Sequence, residues 1–282
     1  MRILKNRLFY YFVCGMSALT MLPLFFILFE LLKKGYKQFN IALFTEIAPT
    51  SMDAILAKMT GEVIPGGVLN GITGGFLILI LAMLIAIPLG IFAGVYLAEK
   101  SESLFASVVR YLTDLIQGTP SIVVGIIAYA WVVKPLHGYS ALAGSAALAI
   151  MMLPLVIRST EETLKLLPGT LKEAGLALGA SYSSVVFKIL LPSAFGGMFT
   201  GILLAISRVM GETAPLMLTT LGATAINWDI SQPTSAIPLL IWEFYSDPNL
   251  VDMIWSSSLL LLLLILTLNI IAKQIANKWK IQ

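Results

Sequence analysis

Six long apolar stretches, separated by shorter polar ones, set the pattern of this chain. They fall near residues 8–32, 69–98, 108–133, 138–158, 193–221 and 253–275, each reaching the roughly 20 residues that a helix needs to cross a bilayer. Lipid supplies no hydrogen-bond partners, so each stretch is expected to be helical, satisfying its backbone internally. Between the first two, residues 33–68 read as a connection with two short surface helices, Asn40 to Phe44 and Met52 to Met59. Ile237, Ile241 and Phe244 share one face of another short helix, beside Trp242, Tyr245 and Trp255, which suit a membrane boundary. Pro23, Pro88, Pro120, Pro154 and Pro215 place a proline inside each of the first five stretches, so bent spans are expected. Gly67, Gly71 and Gly75, then Gly90 and Gly94, recur at four-residue spacing and predict close helix packing in lipid.

A mildly polar interruption separates the fourth and fifth stretches. Leu164, Leu167, Leu171, Ala174 and Leu178 keep the spacing of one helical face. Gly179 suits the left-handed stop after that helix. Ser181 can cap a second helix, Val185 to Leu191, before Pro192 opens the next span. The pattern predicts a helix, a tight glycine turn and another helix, with an apolar stripe exposed beside the membrane. Periodicity alone equally allows an amphipathic loop lying on lipid headgroups.

Composition narrows the class. At 58% hydrophobic and 12% charged, with mean hydropathy +0.92, the 282 residues cannot form an ordinary soluble domain, which would carry about 25% charge. A formal charge of +3 points to no nucleic-acid partner. Cys14 is the lone cysteine, and His137 sits alone in a short turn without partners for a metal or a catalytic role. There is no Gly-Lys dipeptide, hence no phosphate-cradling nucleotide loop. No catalytic residue, metal site or directly bound cofactor is expected. The first stretch is too long for a signal core and reads as a retained anchor.

The basic residues set an orientation. Arg2, Lys5, Arg7, Lys100, Arg110, Arg158, Lys165, Lys172, Lys188, Lys273, Lys278 and Lys280 outnumber Lys33, Lys34, Lys37, Lys58 and Lys134 on the opposite side. The positive-inside rule then places both termini and the interruption, about residues 159–192, in the cytoplasm, with residues 222–252 external. Without linker or repeat, residues 1–282 read as one transmembrane domain.

Charges inside the spans carry the candidate chemistry. Arg110 and Asp114 are four residues apart and can pair on one helix face, with Gln117 and Ser121 continuing roughly along it. Gly118 and Pro120 can open that helix, so that Gln117, Thr119 and Ser121 line a cavity. Arg208 and Glu212 share the same spacing in the fifth stretch, flanked by Ser207 and Thr213. A charge at the centre of a lone span costs roughly 2.5–3.5 kcal/mol, so such residues turn toward a bundle interior or water-filled cavity. They form either a neutralised packing pair or a contact for a charged substrate.

Glu173-Ala174-Gly175, three residues, Gly179, nine residues, then Ile189-Leu190-Leu191-Pro192 resembles the cytoplasmic EAA loop of ATP-binding-cassette importer permeases. Gly175 stands where that family often has alanine. The resemblance implies an all-α integral membrane fold of six transmembrane helices, like a type I importer permease. It also implies that Leu171, Glu173, Ala174, Gly175, Leu178, Gly179, Ile189 and Pro192 form a coupling segment against a separate ATPase. The run Arg208-x-x-Gly211-Glu212-Thr213-Ala214-Pro215-Leu216 and the run Thr119 to Gly125 are similar to the PstA type of phosphate-importer permease. That likeness implies a heterodimer with a second, homologous permease, two cytoplasmic ATPase subunits that use the ATP, and an external phosphate-binding protein. The setting it implies is a bacterial or archaeal plasma (inner) membrane. Arg208 takes the position of the family's functional arginine, and Glu212 that of its neighbouring glutamate. Sulfate or molybdate is the alternative cargo within the class. A secondary ion-coupled transporter is the alternative outside it, and it would not explain the EAA spacing.

Overall fold

The computed structural model describes residues 2–278; Met1 and residues 279–282, among them Lys280 of the basic set, lie outside the described residues. The described chain is helical and has no named strand. A long α1 (Arg2–Gly35) is followed by short α2 (Ala42–Thr45) and α3 (Ser51–Thr60), near the two stretches expected from the sequence. Thr50 and Asp53 form a capping box that starts α3 and holds the Asp53 carboxyl below its usual range. Next come α4 (Leu69–Glu99), α5 (Leu104–Gly118) and α6 (Ser121–Ala128), which runs through a π turn into α7 (Lys134–Leu136). The chain continues with α8 (Ala141–Lys165), α9 (Gly169–Ala177), α10 (Tyr182–Val185), α11 (Leu191–Val209), α12 (Ala214–Met217), α13 (Ile237–Tyr245) and α14 (Val251–Lys278). Among the described residues, five helices are long and apolar enough to cross a membrane, or six if the pair α5 with α6–α7, bent by 109°, counts as one broken span.

α8 is the central helix. In its most apolar window 67% of residues are buried, against 28% in α4 and in the α10–α11 helix. Small residues bring its neighbours close, as the glycine spacing predicts. A Cβ at Gly90 would lie 2.6 Å from Val156, and one at Gly94 2.5 Å from Thr160, so α4 packs backbone-first on α8. Gly197 and Gly201 of α11 lie in the same way on Thr163 and Ser159. The resulting core holds Ile78, Ala82, Ala86, Leu148, Met152, Val156, Ala205 and Val209. By contrast, α1 is largely exposed and docks on α14 at its last turn, where the Ser256 hydroxyl donates to the Gly35 carbonyl at 2.8 Å.

Two spans depart from the hydropathy reading. The third is broken at Thr119–Pro120: proline lacks an N–H and disfavours a helical residue before it, and Thr119 is extended at φ −77, ψ 135. The fifth starts earlier and ends earlier than 193–221, running as one helix from Tyr182 to Val209. Pro192 does not interrupt it. The π turn Val186–Leu190 moves the bonding ladder by one residue, so the Leu191 amide reaches Val186 O just ahead of the proline. Beyond Val209 the helix stops, and Pro215 opens the four-residue α12. Pro120 and Pro215 therefore sit at breaks, while Pro23, Pro88 and Pro154 lie inside helices. After α12, Leu221 and Gly222 take positive φ and turn the chain back over the start of α8, whose Ala141 and Leu142 amides donate to Gln232 and Ile230 carbonyls.

Candidate functional site

The polar interruption forms an elbow that projects from the end of α8. Its apolar spacing is not one helix: α8 ends at Lys165, Pro168 caps the next, and the stripe from Leu164 to Leu178 crosses both. Leu166, Leu171, Leu176 and Leu178 are exposed, Leu178 at 88%. Glu173 and Ala174 stand exposed among them. The glycines divide the work. Gly175 is buried against Val185 and Ile189, whereas Gly179, at φ +82, has open space where a side chain would be. The turn closes with the Gly179 amide on Leu176 O at 2.9 Å, and Ser181 Oγ accepts from the Ser184 amide at the start of α10. Ile189 lies in the π turn, and Pro192 is exposed just beyond it.

Above the elbow, the two charges of α5 pair with α8 and not with each other. Arg110 does not pair with Asp114, as the four-residue spacing suggests. Its Nε donates to Glu161 at 2.8 Å, while its other nitrogens donate to the Ser101 and Leu97 carbonyls at 2.9 and 3.1 Å. Lys165 reaches the same Glu161 oxygen at 2.7 Å, and Glu161 is only 2% exposed. Asp114 is taken by Arg158 of α8. An i,i+4 pair competes with any better-placed partner from another helix, and here both α5 charges find one on α8. Lys172 of α9 pairs with Glu99 at the end of α4. Sequence spacing does not reveal the hold of Arg110 on Glu161 or of Lys172 on Glu99, because these partners are 51 and 73 residues apart.

The helix breaks come together. A Cβ at Gly125, one turn into α6, would stand 2.8 Å from Pro215 Cα, so the start of α6 packs on α12. Gln117 is exposed and Ser121 half-buried, while the Thr119 hydroxyl donates back to Leu115 O of α5. Arg208 occupies the last turn of α11 and is exposed. Glu212 lies beyond the helix end, so the expected shared helical face is absent, and among the described residues no ion pair joins the two. Ser207 turns away toward α14, its hydroxyl donating to Asn269 at 2.8 Å. Thr213 sits half-buried before α12, its carbonyl accepting from Met217. A cavity of about 670 Å³ between α4, α11 and α14 has no charged residue in its walls, which include Phe76, Met83, Leu203 and Leu268. It suits hydrocarbon and not an ion.

With this geometry in view, comparison with known proteins gives consistent matches. The family model described as "Binding-protein-dependent transport system inner membrane component" matches residues 86–280. The phosphate transport system permease protein PstA of Yersinia pestis is 38% identical over 279 residues, 98% of this chain and 91% of its own. The Haemophilus influenzae protein of the same name is 36% identical, covering 88% of this chain and 85% of its own. A probable phosphate transport system permease protein PstA of Methanocaldococcus jannaschii is 34% identical, covering 95% and 92%. A chain of the inward-facing MetNI methionine ABC transporter shares the fold with a TM-score of 0.58 at 18% identity, over 74% of this chain and 93% of that one.

Proposed function

The chain belongs to the binding-protein-dependent transport system inner membrane components, and from that membership we propose that it is the permease subunit of an ATP-driven importer carrying inorganic phosphate inward. The observation that carries the proposal is Arg208. It is an exposed guanidinium at the end of a spanning helix, without an ion-pair partner among the described residues and just ahead of the break that leads into α12. A charge left like this in lipid is costly, so its place is on a polar path. Guanidinium offers directed hydrogen bonds as well as charge, which suits a tetrahedral oxyanion. Phosphate is favoured over sulfate or molybdate because the relatives similar over nearly the whole chain are named for phosphate.

The elbow supplies the coupling. Its exposed leucines and the open side of Gly179 form a surface for a separate ATPase, so the chain itself is non-catalytic and hydrolysis belongs to two such subunits. A second, related permease pairs with this one, and an external phosphate-binding protein delivers the cargo. The excess of basic residues on the elbow side supports an elbow in the cytoplasm, and the bacterial and archaeal relatives support spans in a prokaryotic plasma (inner) membrane. The test is uptake of radiolabelled inorganic phosphate by proteoliposomes holding the affinity-purified complex. Uptake should require ATP and resist excess sulfate and molybdate. Uptake by this chain without an ATPase partner would replace the reading with ion-coupled transport.

A further inference from the structure

Glu99 is placed where electrostatics disfavours it. It is the last residue of the 31-residue α4, at the end where unpaired carbonyls give a helix its negative pole, and its side chain is only 14% exposed. A carboxylate there is repelled by the helix and largely deprived of water. Lys172, in the middle of α9, supplies the missing cation, and its ammonium also lies 5.3 Å from the centre of the Tyr182 ring at the start of α10. Three elements thus meet at one side chain: the end of α4, the middle of the elbow helix and the start of the helix leading into α11.

A second inward contact of the elbow is Gly175 against Val185 and Ile189, which belong to the α10–α11 helix. A push on α9 through Gly175 therefore reaches that helix. Through Lys172 it reaches α4, which packs along the central α8 at Gly90 and Gly94. We infer that Glu99 and Lys172 form a strut that passes movement of the elbow to α4, making both positioning residues for transport. This rests on the reading of α9 as the helix that touches the ATPase.

The experiment uses the whole importer in proteoliposomes and measures ATP hydrolysis and inorganic phosphate uptake in the same preparation. Lys172→Met and Glu99→Gln should assemble and hydrolyse ATP within about twofold of the unmodified complex, while phosphate carried per ATP falls about fivefold or more, the scale of a modest coupling free energy. Lys172→Arg should keep the ratio, and the swap Glu99→Lys with Lys172→Glu should restore it. An unchanged ratio in both single variants would overturn the strut. So would loss of assembly that neither Lys172→Arg nor the swap repairs, since that is ordinary packing. Failure of the reading beneath it shows separately: a thiol at Leu176, otherwise in the unmodified chain, would give no cross-link to an ATPase.

Discussion

Gly175 lies so close to Ile189 that a Cβ at the glycine would stand 2.9 Å from Ile189 Cδ1. The obstructing atom is the far end of a flexible side chain, with Val185 Cγ2 next at 3.0 Å. Gly175→Ala should therefore be accommodated by a small turn of Ile189, leaving complex yield and phosphate uptake near normal. That fits alanine being frequent at this position in EAA loops. Gly175→Val has no such escape and should lower the yield of assembled complex severalfold, as overpacking costs about 1–3 kcal/mol. Normal yield for the valine variant would mean that the elbow does not pack as described.

Gly179 makes the complementary case. Among the described residues nothing crowds it, so its intolerance of side chains inside the subunit comes from φ +82 and not from lack of room. A non-glycine residue held there pays roughly 1–2 kcal/mol, least for asparagine. Gly179→Asn should therefore keep the fold and thermal stability of the isolated subunit, while Gly179→Val should lower both. If an ATPase fills the open side, even the asparagine variant loses hydrolysis-coupled uptake. Normal uptake by Gly179→Asn would place the ATPase elsewhere.

Much of this was legible along the chain. The left-handed Gly179, the Ser181 cap and the small-residue contacts of α4 follow from residue type and spacing, because backbone sterics and capping are local. The end of α11 was not legible. Met210 to Leu221 stays apolar enough to extend a hydropathy run, which is blind to whether the backbone is still helical. The partners of Arg110 were hidden for another reason. Spacing shows which charges can pair within a helix, but only the crossing of α5 and α8 decides which do.

That crossing is open to measurement. Arg110 joins Glu161 of α8 to the Leu97 and Ser101 carbonyls at the end of α4. Arg110→Met leaves a buried carboxylate with Lys165 alone, and breaking a buried pair typically costs about 3–5 kcal/mol; the remaining lysine should hold the loss to the lower end. Thermal unfolding of the purified complex should fall clearly for Arg110→Met. The double variant Arg110→Met with Glu161→Leu should recover part of that loss, because no charge is then stranded. Equal melting of the single variant and the unmodified protein would dismiss Arg110 as a structural hub.

Glu243 offers a test by pH. Burial under the turn at Gly222, where a Cβ would meet its Oε1 at 2.3 Å, raises its pKa above the ordinary 4.5. The folded state then binds this proton more readily than the unfolded state. Stability should rise as pH falls from neutral through the raised pKa, and level off below about 4.5. Asp53 and Asp247 act in the opposite sense, and their lowered values put most of that loss below the ordinary 3.8. Glu243→Gln should raise the melting temperature at neutral pH and flatten this part of the profile. A profile unchanged by the substitution would assign the slope to other groups.

Arg208 carries the transport reading, and the structure sharpens its test. Were Arg208 and Glu212 a packing pair, each single variant would fail to assemble and the swap Arg208→Glu with Glu212→Arg would rescue both. But α11 ends at Val209, and no ion pair joins the two side chains among the described residues, so assembly should not depend on their mutual attraction. Arg208→Gln is expected to assemble fully and lose phosphate uptake. Arg208→Lys keeps the charge without the planar fork and should retain only a minor fraction, on the order of a tenth or less if bidentate geometry matters. Glu212→Gln should change turnover more than assembly, because a nearby carboxylate weakens the hold of the arginine on an anion. The swap should restore nothing. Complex yield and ATP-dependent uptake of inorganic phosphate, measured for all four variants, decide between the two accounts. Normal uptake by assembled Arg208→Gln would remove this arginine from the path.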